Sequence, residues 1–366
     1  MSKHVSRRAF VRLMGAALGT GALGLAGCGS DQATDKGNEA ATDDAGLAST
    51  SGKTLKVLCT NESYQALFDV FTKEVGAPVE FVSMSSGEVL SKLKAEGGKP
   101  SADLWFGGGI DSFISAADAG LLERVDFDRA QSFAPGFKSD NNDWFSKGAT
   151  VVGFIANNDI LSEIGASVPK SWADLIEPSY KDEIMMSSPA VSGTNYAAVA
   201  ALLQTMGEDA GWEYLKALNE NIPFYTKRGS DPSVRVAAGE AAVGITYIDN
   251  TLDDILADSA LELVYPEEGM PYIPDGVAAF AGADDVGDAK LFIEWLFSSD
   301  DNLKALAEID KKTTMLLALP DVQGLELDFD ASQLMDEDLS LLGSERDDIL
   351  ATWDEVTSGK EVVSDS

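Results

Sequence analysis

Residues 55–82 open on the apolar run Leu55-Lys-Val-Leu-Cys59. They continue through a segment that sets Tyr64, Leu67, Phe68, Phe71 and Val75 on one helical face, and return to Val79-Glu-Phe-Val82. A short apolar run, a 3.6-residue periodicity and a second short run read as strand, helix, strand. The pattern then repeats. Val89, Leu90 and Leu93 mark a second amphipathic helix, Ala102 to Phe106 a further strand, and Phe113, Ile114 and Ala117 a helix that stops at Gly120. Strands joined through helices imply a parallel sheet with right-handed crossovers. A ligand would then sit beyond the C-terminal ends of its strands.

Ala149 to Ala156 reads as a long buried strand, and Pro169-Lys-Ser-Trp-Ala-Asp-Leu175 starts a new α/β series with Ser171 as a helix cap. Strands are expected at 183–186, 242–248, 261–264 and 276–281. Helices are expected at 196–206, 212–218, 232–238 and 289–297. No fixed-period repeat appears, and the last stretch, with Trp353, is expected as a helix on the first lobe.

The N-terminus has a different grammar. Ser6-Arg-Arg-Ala-Phe-Val-Arg-Leu13 precedes an uncharged, small and apolar run to Ala26, and so resembles a twin-arginine export signal. Leu13 to Ala26 would extend roughly 21 Å as a helix, short of the ~30 Å hydrocarbon core, so it suits a signal segment and not a resident span. Leu25-Ala-Gly-Cys28 resembles a lipobox, with Cys28 as the lipid-bearing residue of the mature chain. Ser30 to Lys53 is small and polar, with too little apolar surface to fold. As a tether it spans roughly 25–30 Å.

Charge excludes several classes. The 366 residues carry 61 acidic and 27 basic side chains, net −34. Loss of residues 1–27 removes Lys3, Arg7, Arg8 and Arg12 and no acid, leaving 23 bases and a net charge of −38. Such a body is unsuited to binding nucleic acid through its phosphates or lying on an acidic membrane. The acidity reads as solubility and a charged outer face, with adaptation to high salt as the alternative. The single histidine, His4, falls in the signal, and with 2 cysteines there is neither a disulfide framework nor a thiolate zinc site. Cys59 lies in an apolar strand, where packing is its expected role.

Several motifs occur in a fixed order: Ala102-Asp-Leu-Trp-Phe-Gly-Gly-Gly109, Gly120-Leu-Leu122, Pro169 to Leu175, Ser192-Gly-Thr194, Tyr225-Thr-Lys-Arg-Gly-Ser230, Gly239-Glu240 and Tyr265-Pro-Glu-Glu-Gly269. Over about residues 54–300 this set resembles the type II periplasmic solute-binding proteins of ABC importers, in the branch holding ferric-ion, phosphonate and sugar-phosphate receptors. The resemblance implies an α/β fold of two lobes around a ligand cleft, with crossings near Gly153 and Pro274. Residues 1–27 would be signal, 28–53 tether, 54–152 and 275–366 lobe one, and 153–274 lobe two. It also implies an extracytoplasmic monomer, lipid-anchored to the cell membrane, with a small-molecule or ion ligand, an ABC permease as partner and no cofactor.

Loops after strands and helix N-termini then supply the candidate site. From lobe one come Thr60, Asn61 and Glu62, and Gly108 and Gly109, where glycine permits close backbone approach. From lobe two come Ser192, Gly193, Thr194 and Asn195, in which hydroxyls and free amides at a helix start form an oxyanion cradle. Lys227, Gly229 and Ser230 precede Pro232 at a second helix start, while Arg228 and Arg235 are expected to face solvent. Tyr247, Asp249 and Asn250 would close the cleft from below. A small phosphorylated or phosphonate solute ranks first. Ferric ion, held by Glu62, Tyr247 and Asp249, ranks second: the family's usual tyrosine pair is missing, since Ile248 follows Tyr247, and no histidine survives maturation. A body at −38 repels anions, but charges beyond about 8 Å are screened at physiological salt, so groups inside the cleft decide. An enzyme using Glu62 and Asp249 as acid and base is the competing class. Against it, the chain has no nucleophile elbow, P-loop or dinucleotide fingerprint.

Overall fold

In the computed structural model, which describes residues 50–357 and 359–363, the apolar run Leu55–Cys59 (β1) is a strand buried at every position but Lys56. It runs parallel to Val79–Ser83 (β2) on one side and Leu104–Gly109 (β3) on the other. Helices Gln65–Val75 and Ser86–Glu96 make the two connections. The first buries Leu67, Phe68 and Phe71 and ends at Gly76 with φ 89°, the left-handed C-cap that glycine adopts without strain. The second starts on a reciprocal capping box between Ser85 and Glu88. Leu122–Glu123 (β4) adds a short edge after helix Ile110–Asp118.

Phe145–Asn157 (β5) is longer than its sequence pattern predicted and joins two groups of strands. Its first part, Phe145 to Val151, pairs antiparallel with Tyr272–Phe280 (β10). Its second part, Val152 to Asn157, pairs antiparallel with Val243–Tyr247 (β8) and Leu261–Val264 (β9). Beyond β8 lie Ile184–Ser187 (β6) and Tyr225–Thr226 (β7), all parallel to one another. With Val362–Val363 (β11), the main path of the 11-stranded sheet runs β11-β7-β6-β8-β5-β10-β3-β1-β2. The sheet is therefore mixed, not wholly parallel: the two long strands that join its halves run against their neighbours.

Aromatic packing fixes the first half. Phe68, Phe71, Phe106, Phe292 and Trp295 form a chain of edge and tilted contacts at 4.9–5.8 Å, and Trp105 stacks on Phe113 at 3.8 Å. Two expectations need correction. The C-terminal helix Arg346–Thr357 touches the first half only at its start and runs onto the second: Trp353 meets Tyr225 edge-on at 5.3 Å, and β11 extends β7 in parallel. Nor is the polar segment unattached up to Lys53. The Thr50 and Ser51 hydroxyls donate to Asp288, and Ser51 also donates to Asp285. The twin-arginine motif, Cys28 and the rest of the tether lie outside the described residues, among which no helix is long and apolar enough to cross a membrane.

Candidate functional site

Between the two halves lies a cavity of about 400 Å³. The first half lines it with Thr60, Asn61, Glu62, Ser63 and Tyr64 after β1, Ser83 at the end of β2 with Ser85 and Ser86 beyond it, and Gly108 and Gly109 at the end of β3. The turn at 61–64 is fixed by Asn61, whose Oδ1 accepts from the Ser63 amide at 3.0 Å. Gly107 and Gly108 carry φ of 88° and 101°. A Cβ at Gly107 would stand 2.5 Å from Thr60 Oγ1, and one at Gly108 2.7 Å from Ser86 Cβ. These glycines bring three loops together.

The second half supplies Ser192, Gly193 and Thr194 at the start of helix Gly193–Met206. Ser192 occupies the N-cap position, yet its hydroxyl makes no capping bond, so neither it nor the first amides of this cavity-lining helix start are satisfied by a cap. Arg228, Gly229 and Ser230 come next, and a Cβ at Gly229 would lie 2.4 Å from Thr194 Oγ1. Tyr247, Asp249 and Thr251 close this side, with Asp249 Oδ1 accepting from the Thr251 amide and hydroxyl.

Three expected residues stand elsewhere. Asn195 is fully buried under the helix start, donating to Ser187 Oγ and the Ile245 carbonyl, and is not on the cavity wall. Lys227 does not line the cavity; it lies near Glu88, whose carboxyl is held below its ordinary range, against burial, by Ser85 first and Lys227 second. Asn250 is exposed and donates to Asp328. Arg228 is exposed, as expected, but it also lines the cavity and reaches Ser83 Oγ across it at 3.5 Å. The strand ends at Thr226, and residues 227–230 form the turn into helix Asp231–Ala237, in which the Arg228 amide donates to Asp231 Oδ2 at 2.8 Å. Arg235 also departs from expectation: it lies over the Phe224 ring and pairs with Glu240.

The floor is a charge network that no local motif announces. Lys312 Nζ lies 2.9 Å from Asp275 Oδ2, Thr150 donates to Asp275 Oδ1 at 2.8 Å, and Lys147 Nζ is 2.9 Å from Asp310 Oδ2. Burial opposes both ammonium charges, but Asp275 and Asp310 outweigh it and hold both lysines above their ordinary range. Asp275 is held low despite burial, because both lysines face it. Burial pushes the Asp249 carboxyl up, against the weaker opposing pull of Lys312 and the Thr251 hydrogen bonds. Burial, with Asp249 beside it, also raises the Tyr247 phenol. Among the described residues no group of three or more His, Cys, Asp or Glu side chains is placed to hold a metal ion.

The family profile of bacterial extracellular solute-binding proteins matches residues 66–326, and the chain belongs to that family. Its members bind solutes for transport, so this is a substrate-binding protein and not an enzyme. A protein of Haemophilus influenzae without an assigned function is 33% identical over 264 residues, 70% of this chain and 76% of its own length. A putative 2-aminoethylphosphonate-binding periplasmic protein of Salmonella typhimurium is 26% identical over 66% of this chain and 70% of its own. Among solved structures, the periplasmic binding protein AfuA of Actinobacillus pleuropneumoniae, with exogenous fructose-6-phosphate bound, superposes with a TM-score of 0.76 at 28% identity, covering 84% of this chain and 99% of that one. Iron-bound HitA of Pseudomonas aeruginosa gives 0.66 at 20% identity over 83% and 99%, a likeness of fold alone.

Proposed function

We propose that the chain is the extracytoplasmic receptor of an ABC importer and captures a small phosphorylated or phosphonate solute in this cleft. The observation that carries the reading is the convergence of Ser192, Gly193 and Thr194 at a helix start with Gly108, Gly109, Ser86, Ser230 and Arg228. Unpaired amides, hydroxyls and one guanidinium are the groups that hold a phosphate. The network below leaves Glu62 and Asp249 to accept hydroxyl or ammonium donors from the rest of the solute, as a sugar phosphate or aminophosphonate would present. A cavity of about 400 Å³ suits a ligand of that size better than a bare ion.

Ferric ion is the second reading, favoured by the oxygen donors Glu62, Tyr247 and Asp249. Lys312 stands against it, because its ammonium acts on Asp249 and on the Tyr247 phenol and repels a cation there. The arginine pair and Leu25 to Cys28 support twin-arginine export and a lipid anchor at Cys28. The change of partners along β5 supports lobe boundaries near Gly153 and Pro274. The test is thermal unfolding of the purified body with fructose 6-phosphate, 2-aminoethylphosphonate or ferric citrate, since a ligand of the native state raises Tm by mass action. An organophosphate shift supports the proposal; a shift with ferric citrate alone, with tyrosinate colour, reverses the ranking. Membrane retention of Cys28→Ala would remove the lipid anchor.

A further inference from the structure

The two halves meet through glycine backbone. A Cβ built on Gly193 would stand 3.0 Å from the Gly109 nitrogen, and one on Gly87 would stand 2.6 Å from the Ala190 carbonyl oxygen. The Gly87 amide donates to the Val191 carbonyl at 3.4 Å across the same seam. At these crossings the two backbones approach as closely as glycine allows, so a side chain at either position would push the halves apart.

Behind the seam sits one guanidinium. Arg346 Nε donates to Asp111 Oδ2 at 2.8 Å, and Nη2 donates to the Ala190 carbonyl at 3.4 Å. Asp111 is in the first turn of helix Ile110–Asp118, two residues past Gly109 of the cavity wall. Ala190 lies in the turn that leads into Ser192–Thr194. Arg346 itself begins the C-terminal helix that Trp353 fastens to the second half. Its guanidinium lies 5.8 Å from the Tyr196 ring centre, and the Tyr196 hydroxyl donates to the Leu342 carbonyl at 2.7 Å. The side chains of Arg346 and Asp111 are 8% and 1% exposed, so separating the halves would bring water to a pair now sealed from it.

We infer that Arg346 is a positioning residue for solute capture: through Asp111 and the Ala190 carbonyl it holds the Gly108–Gly109 loop against the Ser192–Thr194 helix start, so that both present their amides to one anion. Only a planar fork reaches the two acceptors at once, which singles out arginine over lysine. The pair is not fully satisfied, because Asp111 Oδ1 is buried with no hydrogen-bond partner. Its desolvation offsets much of its attraction, so the latch sets the register of closure without making it irreversible. Without the cation, closing buries Asp111 uncompensated, and the halves separate.

The test uses the free, full-length mature body and needs no ligand, so its outcome is independent of which solute the cleft takes. Hydrogen exchange and small-angle scattering are compared for the parent, Arg346→Met, Arg346→Lys and the isosteric Asp111→Asn. Exchange at Gly109 to Ser112 and at Val191 to Asn195 should accelerate about tenfold or more in Arg346→Met and Asp111→Asn, with a larger radius of gyration and unchanged exchange in β1 and β6. Arg346→Lys should fall between. Unchanged loop exchange and compactness in both Arg346→Met and Asp111→Asn would overturn the inference, as would equal acceleration in loops and core strands, the signature of a merely structural role. If Arg346→Met does not fold, Asp111→Asn decides alone.

Discussion

Lys147 and Asp310, 163 residues apart in sequence, form a 2.9 Å ion pair beneath the cleft with side chains 0% and 6% exposed. Lys147 also lies 4.9 Å from the Tyr64 ring centre and 3.9 Å from Asp275, so its ammonium is enclosed by aromatic and carboxylate neighbours. Removing one partner of such a pair strands a buried charge, whereas replacing both by apolar groups is tolerated. Asp310→Ala should therefore cost about 3–5 kcal/mol in urea unfolding, and Lys147→Met with Asp310→Leu should recover most of that loss. A single-variant cost below about 1 kcal/mol would contradict the assignment.

The cradle yields a separable effect. Thr194 Oγ1 faces the cavity at a helix start and is half-buried, so Thr194→Val removes one donor and acceptor while keeping the shape. Fructose 6-phosphate affinity should fall about tenfold, ~1.4 kcal/mol, with free-protein stability changed by no more than about 0.5 kcal/mol. Calorimetric titration beside thermal unfolding reads both, and equal affinity would return Thr194 to a purely structural place.

Glu337 gives the chain a signature at alkaline pH. Its Oε1 accepts from the Tyr272 amide at 3.1 Å, its Oε2 is buried with no partner, and burial pushes the carboxyl up to about 8. The folded state thus keeps a proton that the unfolded chain loses near 4.5, so this contribution is full below that value and lost as pH rises toward 8. Glu337→Gln should be more stable than the parent at pH 8.5, by on the order of 2 kcal/mol, and equal to it at pH 4.5. A pH-independent difference between the two would rule this out.

Cys59 should be chemically silent. It is fully buried in β1, its Sγ donates to the Asn61 carbonyl at 3.4 Å, and burial pushes the thiol up to about 11. Iodoacetamide at pH 8 should leave Cys59 unmodified in native protein and alkylate it after denaturation, as read by mass spectrometry. Native labelling at the denatured rate would show that β1 opens locally.

These residues also show what the sequence can and cannot carry. Ser192-Gly-Thr194 and Gly108-Gly109 were legible because helix starts and left-handed turns are local events with local residue preferences. By the same rule Ser85 and Ser86, at the start of helix Ser86–Glu96, are readable as candidates from the sequence. Lys312, Asp275, Asp310 and Lys147 are not legible, since each finds its partner across 37 to 163 residues: Lys147 and Asp275 lie on the paired strands β5 and β10, and Asp310 and Lys312 lie at and just past the end of helix Asp300–Asp310. The choice between Lys227 and Arg228 depends on the turn that follows β7, where the Arg228 amide is held by Asp231 at 2.8 Å. Trp353 carried a clear packing signal and no address: its partner Tyr225 lies in the other half.

The most direct test of the whole account is native mass spectrometry of the protein after gentle purification from its own cells. The account predicts a bound organic mass that contains phosphorus and is released intact on unfolding. A bound iron atom with no organophosphate would contradict it, and so would a released molecule whose covalent structure the protein had altered.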